Sequence, residues 1–279
     1  MSGLPVLLRG LDFGEAPRWH DGRLWFSDFH QHTVSSVGDD GARKVELELD
    51  DFPSGRGWLP DGRLLVVAME SRRVVRVETD GEIVAHADLS AVATGRCNDM
   101  VVAVDGTAYV GNFGFELGTP MQPAALARVQ PDGTVDAVAD GLEFPNGSVI
   151  TPDARTLIVG ETFGRRATAF TIATDGTLHD RRVWADLGGV MPDGCTLDAE
   201  RAIWFADARG TAVVRVREGG EITDRVETGQ HTFACALGGE DGRTLFVLCA
   251  DSAHDEDVVG TATGTIRTLR VGVPHAGLP

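Results

Sequence analysis

A turn followed by a short apolar strand recurs six times along the chain. The turns lie at Gly22, Gly62, Gly106, Ala154, Glu200 and Gly242, so successive turns are 40, 44, 48, 46 and 42 residues apart. Units of this length that contain several short strands are typical of propeller blades. The repeat therefore predicts an all-β chain that folds as a single six-bladed β-propeller domain over residues 1–279, with four antiparallel strands in each blade.

The residues between the turns support strands rather than helices. Residues 72–77 and 212–216 alternate in the period-2 manner of half-buried strands. No amphipathic helix of ten or more residues is evident. A large β-sandwich is the alternative fold, but a sandwich would not explain six nearly equal periods. We further expect residues 5–9 and 264–271 to pair in one blade, which closes the ring and hides the open strand edges.

Four polar residues recur at one place in the repeat. Each precedes its turn by seven or eight residues, and they are Glu15, Asn98, Asn146 and Asp193. We expect the units with turns at Gly62 and Gly242 to contribute no such residue. Side chains at equivalent positions of separate blades can converge on a common axis. Two carboxylates and two amides there would form an oxygen-rich site that suits a hard divalent cation.

Composition narrows the classes of partner. The net charge is −17, which disfavours nucleic acid and anionic membranes because both require a basic surface. The apolar stretch 64–69 is too short to span a bilayer, and residues 1–15 lack the pattern of a signal peptide. The cysteines Cys97, Cys195, Cys235 and Cys249 show no metal-binding spacing. We expect them to be buried and free, in a cytoplasmic protein that is a monomer or a weak homo-oligomer.

Five short motifs resemble the regucalcin/gluconolactonase family, in order and at the blade spacing. They are Gly14-Glu15-Ala16-Pro17-Arg18-Trp19, Arg96-Cys97-Asn98-Asp99, Pro145-Asn146-Gly147, Pro192-Asp193-Gly194 and the late pair formed by residues 237–239 and 247–250. The resemblance implies a six-bladed propeller with one divalent metal ion near the central channel. It also implies a hydrolase that opens a small-molecule lactone or a related ester-like substrate.

The resemblance also implies roles for individual residues. The family's metal ligands fall on Glu15, Asn146 and Asp193, and its catalytic acid/base also falls on Asp193. Substrate contacts fall on the three residues Arg96, Asn98 and Glu116. The pattern differs from the family at Met100, where a glycine often follows Asn-Asp, and in the apolar loop 112–121. These differences fit a lactone that is more apolar than a sugar lactone, or a different ester-like electrophile.

Several of these residues also have ordinary structural interpretations. Asn146-Gly147 and Asp193-Gly194 could each form a turn, because Asn-Gly and Asp-Gly are common turn sequences. Arg96 could neutralise Asp99 instead of binding substrate. In a strand the side chain of Asp99 should lie on the opposite face from that of Asn98. We therefore expect Asp99 to contact the residues of the site and not the metal or the substrate.

The residue types predict a mechanism in which the metal acts as a Lewis acid. It would polarise the lactone carbonyl while Asp193 serves as general base and then general acid. Whether Asp193 or the metal activates the water is left open, as is closure of the 112–122 loop over the site. Oxygen ligands favour Ca²⁺, with Mg²⁺, Mn²⁺ or Zn²⁺ as alternatives. The competing functions are a phosphotriester or fluorophosphate hydrolase on the same scaffold, and a non-catalytic propeller that binds calcium or a protein.

Overall fold

A computed structural model describes residues 3–279 of the chain and contains six four-stranded antiparallel sheets. The predicted six-bladed propeller is therefore confirmed, and residues 1 and 2 of the predicted domain lie outside the described part. In each blade the first strand lies closest to the central axis and the fourth lies at the rim. The first strands of neighbouring blades contact one another all the way around the ring.

The first three blades are formed by strands that follow one another in sequence. Blade 1 contains β2 to β5, at Gly14–His20, Arg23–Asp28, Thr33–Val37 and Arg43–Glu48. Blade 2 contains β6 to β9, at Pro53–Trp58, Leu64–Ala68, Arg73–Val77 and Ile83–Asp88. Blade 3 contains β10 to β13, at Cys97–Val102, Ala108–Asn112, Ala124–Val129 and Val135–Leu142.

The last three blades include the one that closes the ring. Blade 4 contains β14 to β17, at Pro145–Ile150, Thr156–Glu161, Arg166–Ile172 and Leu178–Asp186. Blade 5 contains β18 to β21, at Pro192–Leu197, Ile203–Asp207, Ala212–Val216 and Ile222–Glu227. Blade 6 combines β22 to β24, at His231–Gly238, Thr244–Ala250 and Gly264–Arg270, with the N-terminal strand β1 at Val6–Leu11.

The predicted pairing of the chain's two end regions is confirmed. Strand β1 runs antiparallel to β24, with Leu11 opposite Gly264. The Leu11 side chain is fully buried in an apolar cluster that joins Leu24 and Phe26 of blade 1 to Leu248 and Ile266 of blade 6. Closure therefore combines strand pairing with an apolar contact between the first and last blades.

Glycines allow the inner strands of neighbouring blades to approach closely. A Cβ atom on Gly147 would lie 2.4 Å from the carbonyl oxygen of Asp193, and one on Gly194 would lie 2.6 Å from the Cβ of Ala234. A Cβ on Gly55 would lie 2.2 Å from the backbone nitrogen of Met100. Asn146-Gly147 and Asp193-Gly194 are thus parts of inner strands rather than turns, and their glycines are required by backbone packing.

Other composition-based expectations also agree with the structure. Within residues 3–279 the only helix is the short α1, Asp255–Val258, in the loop between β23 and β24. No helix in this part of the chain is long and apolar enough to cross a membrane. All four cysteines are buried and free.

Ring closure predicts a large cost for removing the Leu11 side chain. Leu11→Ala should lower the free energy of unfolding by about 2–5 kcal/mol, because it leaves a cavity between blades 1 and 6. Denaturant unfolding of the purified variant measures this change. Val104→Ala is a control at a side chain that is 72% exposed, and it should change stability by less than about 0.5 kcal/mol. Equal effects of the two substitutions would contradict the role of Leu11.

Candidate active site at the starts of the inner strands

The four polar residues predicted from the repeat occupy one equivalent position. Each is the second residue of its inner strand, in β2, β10, β14 and β18, and each is nearly buried. The second residues of β6 and β22 are Ser54 and Thr232. The expectation that blades 2 and 6 carry no polar residue here was therefore wrong. The six residues form a ring around the axis, which we call the site layer: Glu15, Ser54, Asn98, Asn146, Asp193 and Thr232.

The two hydroxyl members differ from the carboxylates and amides. Thr232 donates its hydroxyl to the carbonyl oxygen of Ala212 at 2.8 Å, so this side chain bonds to the backbone of blade 5. Ser54 is 1% exposed and lies at the start of β6. The sequence analysis missed both residues. Ser54 fits the repeat spacing, eight residues before Gly62, but serine is common in strands and turns. Thr232 lies ten residues before Gly242, so only the register of the inner strands reveals its equivalence.

Two carboxylates of the site layer are buried without an opposite charge in contact. Burial, together with the negative charge of Asp99, raises the pKa of Asp193 to about 8, although the Asn146 side chain partly offsets the increase. Burial also raises the pKa of Glu15 well above its ordinary value, and the charge of Asp193 adds to this effect. Among the described residues, neither carboxylate forms a salt bridge. The pair is thus an electrostatically unfavourable arrangement in a buried place.

Hydrogen bonds link each of the two amides to the inner strand of the next blade. Asn146 donates from Nδ2 to the hydroxyl of Thr162 at 3.2 Å, and Thr162 donates in turn to the carbonyl oxygen of Pro192 at 2.7 Å. This chain links Asn146 to the residue before Asp193. Asn98 donates to the carbonyl oxygen of Pro145 at 3.5 Å, a long contact to the residue before Asn146.

Asp99 and two buried arginines lie beside the site layer. Arg18 forms a salt bridge with Asp99 at 2.7 Å and donates to the carbonyl oxygen of Met100 at 2.7 Å. Asp99 is thus paired with Arg18, and among the described residues the alternative pairing of Asp99 with Arg96 is not found. Arg56 is fully buried and donates to the carbonyl oxygen of Ala16 at 2.5 Å. Burial, together with the like charge of Arg18, lowers the pKa of Arg56 to about 9.

The two arginines also line a cavity on the other side of the ring. A cavity of about 220 Å³ lies at the opposite ends of the inner strands, where its walls include Trp19, Trp58 and Pro279. Arg18 and Arg56 line this cavity as well. Both arginines therefore lie along the inner strands between the site layer and this far cavity.

Polar residues at the ends of the second strands support the same four blades. The last residues of β3, β11, β15 and β19 are Asp28, Asn112, Glu161 and Asp207, whereas the corresponding residues of blades 2 and 6 are Ala68 and Ala250. All three carboxylates of this set accept a hydrogen bond from a backbone N–H just before the inner strand of the same blade: Asp28 from Phe13 at 3.1 Å, Glu161 from Glu143 at 2.8 Å and Asp207 from Met191 at 3.1 Å. These bonds fix the entry of the strands that carry Glu15, Asn146 and Asp193.

Two of the residues predicted to contact substrate are placed differently from the site layer. Arg96 lies just before β10, forms a salt bridge with Glu70 and stacks over Phe52 at 5.4 Å. Glu116 is exposed in the loop after β11. The structure thus brings Glu15, Asp193, Asn146, Asn98 and Asp99 together, whereas Arg96 is bound by another side chain and Glu116 lies in the solvent.

The donor set can be compared with the needs of a metal ion. In residues 3–279 no three His, Cys, Asp or Glu side chains are grouped to hold a metal by themselves. The site layer instead offers two carboxylates, Glu15 and Asp193, next to the amides of Asn98 and Asn146. A divalent cation between the carboxylates would remove their mutual repulsion, so the residues present fit a cation that prefers oxygen ligands.

The raised pKa of Asp193 predicts how stability depends on pH. In the cation-free protein, the folded-state pKa of about 8 lies above the ordinary value of 3.8. The folded state therefore holds a proton that the unfolded state has lost, and stability must fall as pH rises from about 4 to about 8. With chelator present, Asp193→Asn should raise the thermal midpoint at pH 9 by at least about 2 °C relative to the wild type, and by less at pH 5. Parallel pH profiles of the two proteins would contradict this expectation.

The chain superimposes on propellers of known structure over almost its whole length. A calcium-binding protein, regucalcin, from Agrobacterium tumefaciens superimposes with a TM-score of 0.84 at 23% identity, covering 100% of this chain and 96% of that one. A luciferin-regenerating enzyme superimposes with a TM-score of 0.83 at 20% identity, covering 99% and 97% of the two chains. At these identities the likeness establishes the fold.

Sequence relatives cover most of the chain. It is 29% identical to the pentonolactonase XacC of Haloferax volcanii, over 95% of this chain and 92% of the relative. It is 26% identical to the gluconolactonase of Zymomonas mobilis, over 93% and 82% of the two chains. The family model described as the SMP-30/gluconolactonase/LRE-like region matches residues 13–251. This chain therefore belongs to the SMP-30/gluconolactonase/LRE-like family.

Proposed function

We propose that this protein is a metal-dependent hydrolase that opens a lactone. The observation that carries the proposal is the buried pair Glu15 and Asp193, whose charges no other side chain of the described residues neutralises by a salt bridge. The names of the relatives, a pentonolactonase and a gluconolactonase, support the lactone as the class of substrate. A small molecule is thus the proposed partner of the site.

Glu15, Asn146 and Asp193 would hold the cation, and Asn98 would face the substrate beside it. Carboxylate and amide oxygens favour Ca²⁺ or Mg²⁺, and Mn²⁺ also accepts them. No histidine belongs to the site layer, which makes Zn²⁺ a poorer match. The calcium-binding description of the Agrobacterium regucalcin supports Ca²⁺ as the first cation to test.

The side chains of the site supply the proton transfers of lactone hydrolysis. When bound, a divalent cation would stabilise the negative charge that develops on the lactone carbonyl oxygen. The Asp193 carboxylate accepts a proton from the attacking water, whose oxygen forms a bond to the carbonyl carbon. The bond between that carbon and the ring oxygen then breaks, and Asp193 returns the proton to the ring oxygen. The product is a hydroxy acid.

The thiols take no part in this chemistry. Burial raises the pKa of Cys97 to about 12 and that of Cys249 to about 11. Burial also raises the pKa values of Cys195 and Cys235. A thiolate nucleophile is therefore disfavoured. Four free thiols suit a reducing compartment, and we propose the cytoplasm.

Removing the charge of either carboxylate should weaken cation binding and slow turnover. Glu15→Gln and Asp193→Asn should each weaken Ca²⁺ binding by at least about tenfold, because ligand charge sets the affinity of such sites. Both should lower kcat/KM for a lactone by at least about 100-fold. Calorimetric titration of Ca²⁺ and a pH-indicator assay of ring opening measure the two effects. Asp21→Asn, at a side chain that is 87% exposed, is the matched control and should change neither.

The same assay separates the proposed function from its competitors. Purified protein is tested against lactones and phosphotriesters, with and without chelator. Ring opening that chelator suppresses supports the proposal. Phosphotriester hydrolysis without ring opening would replace it with the other hydrolase, and unchanged Ca²⁺ binding in both carboxylate variants would refute the ligand assignment.

Arg56 has a positioning role in the proposed cation site. The backbone of Ala16 has a left-handed φ of 47°, and its N–H donates to the Glu15 carboxylate at 2.7 Å. Arg56 donates to the carbonyl oxygen of Ala16. It thereby holds a conformation that costs a residue with a Cβ roughly 1–2 kcal/mol. The buried guanidinium therefore fixes the peptide on which the Glu15 carboxylate depends.

This role predicts a rescue. Arg56→Met should weaken Ca²⁺ binding by about tenfold, because Ala16 is no longer held in the left-handed conformation. Adding Ala16→Gly should recover part of the affinity, since glycine adopts this conformation without the cost. Calorimetric titration of the single and double variants measures both steps. Loss of affinity with no recovery would assign Arg56 to general packing instead.

A further inference from the structure

A second ring of residues lies one layer outward from the site layer. Each member stands two positions before a site-layer residue, and we call the six the collar: Phe13, Phe52, Arg96, Phe144, Met191 and Gln230. Five of them share one backbone bond, in which their carbonyl oxygen accepts the N–H of the residue just after the second strand of the same blade. The donor nitrogens lie at 2.9–3.1 Å and belong to Phe29, Met69, Phe113, Thr162 and Ala208. The collar is thus a structural repeat and not a chance grouping.

The apolar members of the collar continue into aromatic clusters. Phe13 lies 4.5 Å from Phe233 between ring centroids, and His30 lies 6.3 Å from Phe13 and 5.7 Å from Phe52. Blades 6, 1 and 2 are therefore joined by contacting rings.

A second cluster covers blades 3 and 4. Phe144 stacks on Phe113 at 4.4 Å and meets Phe163 at 4.8 Å, and Phe115 lies 6.0 Å from Phe163. Phe163 is 39% exposed, and Leu117 and Met121 of the neighbouring loop are 57% and 44% exposed. An apolar surface therefore runs from beside Asn146 to the solvent.

The two polar members of the collar already have partners within the chain. Arg96 pairs with Glu70 and lies 3.8 Å from Asp255, which also contacts His30 at 3.5 Å. Gln230 donates to the Asp251 carboxylate at 2.8 Å and accepts the hydroxyl of Thr265 at 2.9 Å.

A sugar lactone would bring several hydroxyl groups to this place. Each buried hydroxyl that finds no partner costs free energy, because it gives up its bonds to water. Four collar positions are apolar and two are occupied by other protein groups. The collar is therefore suited to an apolar group and poorly suited to a polyol.

We propose that the substrate is a lactone that carries an alkyl or aryl substituent, which lies against Phe13, Phe144 and Met191 while the ring carbonyl faces the site layer. This inference rests on the proposed lactone hydrolysis and names the class of substrate for that site. Each methylene group buried against the collar should raise kcat/KM about fourfold until the chain outgrows the apolar surface.

The test is a series of γ-lactones with alkyl chains of increasing length, compared with unsubstituted γ-butyrolactone and gluconolactone. Wild-type kcat/KM should rise about fourfold for each of the first added carbons, and gluconolactone should be among the poorest substrates. Phe144→Ser and Met191→Thr should each flatten this dependence. Ile222→Ser, at an exposed position on the rim of blade 5, is the matched control and should leave it unchanged.

A binding measurement separates failure of this inference from failure of the proposed reaction. Calorimetric titration with γ-lactams of the same alkyl series reports on the collar without ring opening. If γ-lactams bind more tightly as their alkyl chain lengthens but no lactone is opened, the proposed reaction is refuted and the apolar site is supported. Chain-independent binding and turnover, or a preference for gluconolactone, would overturn the inference. Thermal unfolding of both collar variants checks that they remain folded.

Discussion

The close contact between neighbouring inner strands is the constraint on which the rest of the molecule depends. At Gly55, Gly147 and Gly194 the backbones of adjacent blades lie too near each other for any side chain. Each of these glycines directly follows a member of the site layer. The packing that narrows the axis therefore also brings side chains from different blades together. Leu11 and the pairing of β1 with β24 keep this ring closed.

The narrow axis gives the buried carboxylates their unusual chemistry. Burial is the main reason that the pKa values of Glu15 and Asp193 are raised; the negative charge of Asp193 adds to the effect at Glu15, and that of Asp99 adds to it at Asp193. Most buried charges in proteins are paired, as Asp198 is with Arg215 in blade 5 at 2.6 Å. Asp193 lies in the same blade without such a partner in the described part of the chain, and this difference distinguishes the site layer from a structural ion pair. Blade 5 thus contains one buried aspartate that is paired with an arginine and another, Asp193, that forms no salt bridge within the described residues.

Much of the fold and part of the site could be predicted from the sequence. The turn spacing and the alternation of apolar residues determine the blades, because both are local properties of the chain. The equivalence of Glu15 with Asp193 followed from the same spacing. Ser54 also precedes its turn, at Gly62, by eight residues, so the same spacing could have identified it. Thr232 precedes Gly242 by ten residues, because β22 has eight residues where β6 has six.

Contacts between distant segments were beyond the reach of sequence patterns. Arg18 meets Asp99 across 81 positions of the chain, and Arg56 reaches Ala16 across 40. The pairing of Arg96 with Glu70 depends on how two neighbouring blades are set side by side. The apolar character of the loop 112–121 was visible in the sequence, whereas its continuation through Phe144 and Phe163 required the arrangement of blades 3 and 4.

The positions of Arg18 and Arg56 have a consequence for how a small molecule could reach and leave the site layer. Both residues lie along the inner strands between the site layer and the cavity at the other end, and each bonds to the backbone of another blade. Large side chains held in this way would hinder passage along the axis. Under the proposed function, the product would then leave on the side from which the substrate arrives.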